Sequence, residues 1–251
     1  MADLVGTALE SDVDPTAFEL QYEERRIELA AGVAVTIRES NFHAQNANCV
    51  WPGTAVLADW LAEHPDAWLG RRLCELGAAT GVLAVFLHRL VRHAPWLAQL
   101  TEAQRAVAAA PLDLTTSDYA DDEIAGAIAH NSALNDVCPA PPHWPHTWGT
   151  PLPANLQRFE VIYANDILIY VSQYTNLVAT IVALLRHGGP DTVMYLSCQR
   201  RITTERDFLA LLEAAGGRYT VVGRKIYRIQ YQPNDPHASA TAGSMPDAAN
   251  A

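Results

Sequence analysis

CELGAATGV, residues 74–82, sets an acidic residue at the end of a short apolar run, then a glycine-bearing turn, then the start of a helix. Gly77 and Gly81 have no side chain, so the backbone is free to turn tightly there and to approach a ligand. The helix beyond supplies unpaired N–H groups at its start. The spacing G-x-A-x-G is not the G-x-G-x-x-G of dinucleotide sites. Nor is it a phosphate-binding Walker loop, because no G-K-[ST] follows. An ordinary strand–turn–helix corner has the same outline, so neighbouring segments must decide.

Outward from this turn, strand and helix signals alternate. GVAVTIRES (32–40) alternates Val33, Val35 and Ile37 and predicts a strand. TAVLADWLAEH (54–64) predicts a helix after the Pro52-Gly53 break, and GVLAVFLHRLVRH (81–93) a second. PLDLTTSD (111–118) reads as a strand and DDEIAGAIAHNSALND (121–136) as a helix with acidic residues in its first turn. Strand Phe159–Ala164 ends at Asn165-Asp166. A helix follows over 174–188, a strand over 191–198, a helix over 204–217 and a hairpin over 218–231 around Gly223. Apolar strands separated by helices indicate an α/β fold with a parallel sheet, which the final hairpin extends by an antiparallel strand. In such sheets ligands sit beyond the carboxyl ends of the strands.

Composition sets the outer limits. The 251 residues are 49% apolar and 18% charged, enough apolar material for a core. One domain is expected over 18–231, with loose polar segments at 1–17 and 232–251. No apolar run reaches the roughly 18 residues of a membrane-spanning helix, and the first residues read as neither a secretory nor a mitochondrial signal. A net charge of −11 disfavours broad nucleic-acid binding and suits a basic partner better. None of the four cysteines forms a C-x-x-C pair, so reduced, buried thiols in a cytoplasmic, or also nuclear, protein are expected.

Four further segments carry chemistry. In TTSDY (115–119), Asp118 ends the strand after the glycine turn, where a carboxylate accepts hydrogen bonds from ribose hydroxyls; capping the next helix is the competing role. HTWG (146–149) closes a stretch with six prolines between Pro139 and Pro153, read as a stiff, extended crossover. Its Trp148 offers a flat apolar surface to an adenine, or to the core. The His143/His146 pair has no metal-site spacing. In YANDILIYVSQY (163–174), Asp166, Tyr170 and Tyr174 are placed to line a narrow mouth around an amine. In VWPGTAVLADWL (50–61), Trp51 is a candidate lid and Trp60 a core residue.

E-x-G-x-x-x-G at Glu75–Gly81 resembles motif I of class I S-adenosylmethionine-dependent methyltransferases. Taken in order, VWPGTAVLADWL, CELGAATG, TTSDYADDEIAGAIAHNSALN, HTWG and ANDILIYVSQY resemble the METTL21-like seven-β-strand protein methyltransferases (methyltransferase family 16) over about residues 30–231. The resemblance implies a Rossmann-like seven-stranded methyltransferase sheet with helices on both faces and a C-terminal antiparallel hairpin. It implies S-adenosyl-L-methionine as cofactor, contacted by Trp51, Gly77, Ala78, Ala79, Gly81, Asp118, Trp148 and the backbone at Asn165. Glu75 would organise the turn or reach the cofactor's amino group. Asp166 and Tyr170 are the implied acceptor-site residues, and a lysine of a protein the implied substrate. Two departures stand out. The family's D-x-x-Y is here Asp166-Ile167-Leu168-Ile169, with Tyr170 one place late, and its G-x-G is G-x-A at Ala79. A small-molecule amine acceptor of nicotinamide type and a catalytically inactive scaffold therefore remain open, as does the oligomeric state.

Overall fold

The computed structural model describes residues 19–199 and 204–233. The expectations for residues 1–17 and for 234–251 lie outside the described residues. An amino-terminal hairpin comes first, β1 (Tyr22–Glu28) paired antiparallel with β2 (Ala34–Ser40). After α1 (Pro52–Glu63) follow β3 (Leu73–Leu76) and α2 (Val82–Leu90). Residues 92–108 hold two short helices, α3 (Ala94–Leu97) and α4 (Glu102–Ala108). The latter starts in a capping box between Thr101 and Gln104. Then come β4 (Leu114–Asp118), α5 (Asp122–Leu134), β5 (His143–Pro145) and β6 (Val161–Asn165). The chain closes with α6 (Tyr174–Gly188), β7 (Val193–Ser197), α7 (Glu205–Ala214), β8 (Gly217–Gly223) and β9 (Ile226–Tyr231).

The main sheet has seven strands in the order β5-β4-β3-β6-β7-β9-β8. All pairings are parallel except those of β9, which runs antiparallel to β7 and β8. This is the expected α/β sheet with its antiparallel hairpin. From β3 the chain winds outward to β4 and β5, then returns to β6 on the other side. The winding reverses between β3 and β6, and a crevice beyond their carboxyl ends follows. Both faces of the inner strands are buried. Leu73, Val161 and Tyr163 pack under α1 and α2, while Cys74, Ile162 and Met194 pack under α6 and α7.

The sequence reading missed two strands. β1, YEERRIE, is almost wholly exposed, so no apolar alternation marks it. β5 lies within the proline-rich stretch read as a crossover; an edge position tolerates Pro145, whose missing N–H interrupts no ladder. The hairpin docks through two buried asparagines one helical turn apart on α5. Asn135 exchanges hydrogen bonds with the Thr36 backbone (2.9 and 2.7 Å), and Asn131 does so with Arg38 (2.8 and 3.2 Å). Each side-chain amide stands in for a neighbouring strand and satisfies the edge of β2.

Candidate active site

The turn after β3 is built as its sequence implies, but its glycines serve packing. Gly77 (φ +76°) and Gly81 (φ +73°) both need the left-handed region. A Cβ on Gly77 would lie 2.5 Å from the Ile167 side chain, and one on Gly81 would lie 3.1 Å from Ile128. Ile167 and Ile128 thus occupy the space that a side chain at either glycine would need. Ala79 adopts φ +48°, a conformation that costs a β-carbon residue about 1 kcal/mol, so the family's usual glycine has a physical reason here.

Two carboxylates fix the turn. The Glu75 side chain, 1% exposed, accepts from the Ala84 amide in the first turn of α2 at 3.2 Å, and its Oε1 has no partner. Glu75 therefore ties β3 to the start of α2 through one oxygen and leaves the other unpartnered. Burial, reinforced by the charge of Asp118, holds its pKa well above the ordinary carboxylate range, against the pull of the Ala84 amide. Asp118 accepts from the amides of Ala79 and Tyr119, each at 2.7 Å. Burial raises its pKa too, partly offset by those two amides. Each of its oxygens has spent one acceptor position, which leaves one apiece for a hydroxyl.

Asp118 forms one wall of a cleft of about 340 Å³. Tyr119, His146, Thr147 and Trp148 continue the wall, and Gln45, Tyr170, Ser172 and Gln173 face them. Asp118, Trp148 and Tyr170, from three distant sequence segments, thus meet as expected. Tyr119, His146, Thr147, Ser172 and Gln173 lie within quoted segments, beside the residues singled out; Gln45 gave no signal, because only packing brings its loop to the cleft. The Tyr170 hydroxyl accepts from the Asn46 side chain, and the Asn46 carbonyl accepts from the Trp51 indole at 3.1 Å. Trp51, the candidate lid, thereby anchors the loop that carries Gln45, and it is Gln45 that lines the cleft.

Other expected site residues lie away from the cleft wall. Asp166 is 3% exposed, at φ +48°. Its carboxylate accepts from the amides of Gly53 at 2.6 Å and Gln199 at 2.8 Å, joining the start of α1 to the loop after β7. That corrects its expected place at the mouth: its two oxygens are taken up by amides at a helix start and in a distant loop. The Asn165 side chain accepts from Thr54 at 2.9 Å. Tyr174 is buried, with its hydroxyl donating to the Leu168 carbonyl at 3.1 Å, and Tyr163 is wholly buried, so neither lines the mouth. Of the cysteines, Cys74 and Cys198 are buried as expected, but Cys138 is exposed and Cys49 half-buried.

Histidines do not converge on a metal at the proline-rich stretch: His143 meets Thr116 at 3.0 Å, while His146 lies 3.4 Å from Thr180. Elsewhere, the Nε2 of His43 approaches Asp121 (3.6 Å) and Glu123 (3.9 Å). The Gln45 amide donates to its Nδ1 at 3.1 Å, so the ring proton belongs on Nε2, facing the carboxylates. The ring so arranged presents an N–H, and not a lone pair, to Asp121 and Glu123.

Chemically, the cleft suits a nucleoside. A carboxylate with two free acceptor positions matches a vicinal diol, and Trp148 and Tyr119 offer flat faces to a base. A family model described as lysine methyltransferase matches residues 30–215. Among solved structures, the chain is similar to the T. thermophilus 16S rRNA N2 G1207 methyltransferase in complex with AdoMet and guanosine. The two are 15% identical with a TM-score of 0.52, over 84% of this chain and 51% of that one. It is also similar to TrmN from Thermus thermophilus, with 14% identity, a TM-score of 0.48 and coverage of 84% and 60%. This chain spans about half the length of the first of these structures. At such identity the first likeness shows the fold, a Rossmann-like methyltransferase sheet.

Proposed function

The chain belongs to the lysine methyltransferase family, and from that premise we propose that it transfers a methyl group from S-adenosylmethionine to a lysine amine of a protein substrate. The observation that carries the reading is Asp118 at the end of β4, facing the cleft while locked to the Ala79 amide of the glycine turn. Cofactor site and turn are thereby one unit.

Within this reading, Asp118 accepts the ribose hydroxyls, and Trp148 and Tyr119 flank the base. The bound cofactor supplies an electrophilic methyl group on a sulfonium. Tyr170, held by Asn46, stands at the mouth and orients the acceptor. A lysine must arrive neutral, because an ammonium has no lone pair; a partly apolar mouth lowers an amine's pKa and favours that form. The enzyme's contribution is alignment and exclusion of water. Asp166 contributes by fixing the start of α1 rather than by touching the acceptor. The net charge of −11 supports a basic protein substrate.

The test is incubation with radiolabelled cofactor and a cell lysate. Label in a protein band that acid hydrolysis resolves as methyl-lysine supports the reading. Label only in small molecules favours the small-amine alternative. Failure of S-adenosylmethionine to bind in calorimetry overturns both in favour of a scaffold.

A further inference from the structure

A concavity lies at the opposite end of α2 and α5 from the cleft. Both helices begin beside the cleft-forming turns. They end around a pocket of about 500 Å³, which the hairpin β1–β2 closes on the third side. α2 is nine residues long, which sets the pocket roughly 13 Å along its axis from the glycine turn.

Its charge is opposite to that of the molecule. Arg26 of β1, Arg89 of α2, and Arg92 and His93 just beyond α2 line it, with Asp136 the one carboxylate in the lining. Arg89 donates to the Asn135 carbonyl at 3.1 Å and so neutralises the end of α5. The side chains of Arg26 and Arg92 make no hydrogen bond or ion pair among the described residues, whereas Arg25 and Arg72 pair with Glu39 and Glu160. His88, one turn back from Arg92, is pushed down to about 4 by burial and by that arginine, so it adds no charge at neutral pH. The floor is rigid, because Thr36 and Asn135 are hydrogen-bonded to each other.

Two uncommitted guanidiniums and one committed one around a nucleotide-sized, polar pocket form a site for an oxyanion, which a guanidinium meets with paired N–H donors. The overall charge of −11 repels a long polyanion, and the concavity is too small for one. We propose that this pocket binds a phosphate-bearing small molecule of nucleotide size or less, through Arg26 and Arg92 with His93 beside them. The site is separate from the cofactor cleft and does not depend on the methyltransferase reading.

The test is calorimetric titration of the full chain with inorganic tripolyphosphate at constant ionic strength; this probe carries no nucleoside to enter the cleft. One saturable site is expected. Arg26→Gln and Arg92→Gln should each weaken it roughly ten-fold, and the pair about a hundred-fold, the loss of one or two charge-assisted contacts. The melting temperature should stay within a degree or two, because neither side chain has a partner to lose. Arg92→Lys, which keeps the charge but not the fork, should restore only part of the affinity. Absence of saturable binding to the wild type overturns the proposal, as does equal binding by the double Gln variant. A large loss of thermal stability without loss of binding would make the arginines structural. A polyglutamate peptide that binds this site more tightly than tripolyphosphate would also overturn the assigned ligand class.

Discussion

Replacing Glu75 by glutamine tests whether a carboxyl buried between sheet and helix is held protonated. The side chain is 1% exposed and has one hydrogen-bond partner, the Ala84 amide. Burial, then the nearby Asp118, raises its folded pKa well above the ordinary carboxylate range. The sign follows from linkage. Below the unfolded pKa both states are protonated, and the stability of the wild type is at its fullest with respect to this group. Above it the unfolded chain gives up the proton while the folded chain keeps it. Stability then falls as pH rises, until the folded pKa is reached. The loss is about 1.4 kcal/mol for each pH unit in that window. Glutamine preserves the acceptor for Ala84 and does not titrate. Its own constant offset, roughly 1–3 kcal/mol for a buried unpaired amide group, is independent of pH. Urea unfolding of both proteins at half-unit steps from pH 4.5 upward should show the variant gaining on the wild type, linearly, at about 1.4 kcal/mol per unit. A gap that stays constant across the series would mean that the folded carboxyl titrates as in the unfolded chain, and the burial argument would be refuted.

Other substitutions separate binding from scaffolding. Asp118→Ala should weaken S-adenosylmethionine binding by about 1–3 kcal/mol in calorimetry; unchanged affinity would remove Asp118 from the cofactor site. Tyr170→Phe keeps the ring at the cleft and loses the bond from Asn46. It should lower turnover more than cofactor affinity, and an effect on neither would end its acceptor role. Asp166→Asn keeps one acceptor oxygen and sets an NH2 donor against one of the two backbone amides of Gly53 and Gln199. It should cost about 1–3 kcal/mol in chemical unfolding; full stability with lost turnover would return Asp166 to the acceptor site. Gly77→Ala should destabilise by about 2–4 kcal/mol, from the φ of +76° and the 2.5 Å approach to Ile167. Ile167→Ala should relieve part of that loss in the double variant, and strict additivity of the two would count against the clash.

The α/β alternation, the position of the glycine turn and the role of Asp118 as a strand-end carboxylate were legible from local pattern alone. Buried parallel strands are short apolar runs, tight turns demand glycine, and helix starts attract acids; each signal lies within a few consecutive residues. β1 was not legible, because an exposed strand of Glu and Arg earns its pairing from β2 and has no apolar rhythm of its own. The uses of Asp166 and Tyr174 were not legible either. Both stand in a stretch that local reasoning aims at the mouth. What turns Asp166 inward is a pair of amides, from residues 53 and 199, that no local window contains. The same holds for the cleft's facing wall and for the cationic pocket. Arg26, Arg89 and Arg92 are unremarkable along the chain, and only the packing of one hairpin against two helix ends gathers them. Sequence fixes what each segment prefers, because those energies are local; which groups share a dielectric, a partner or a cavity is settled only when distant segments pack.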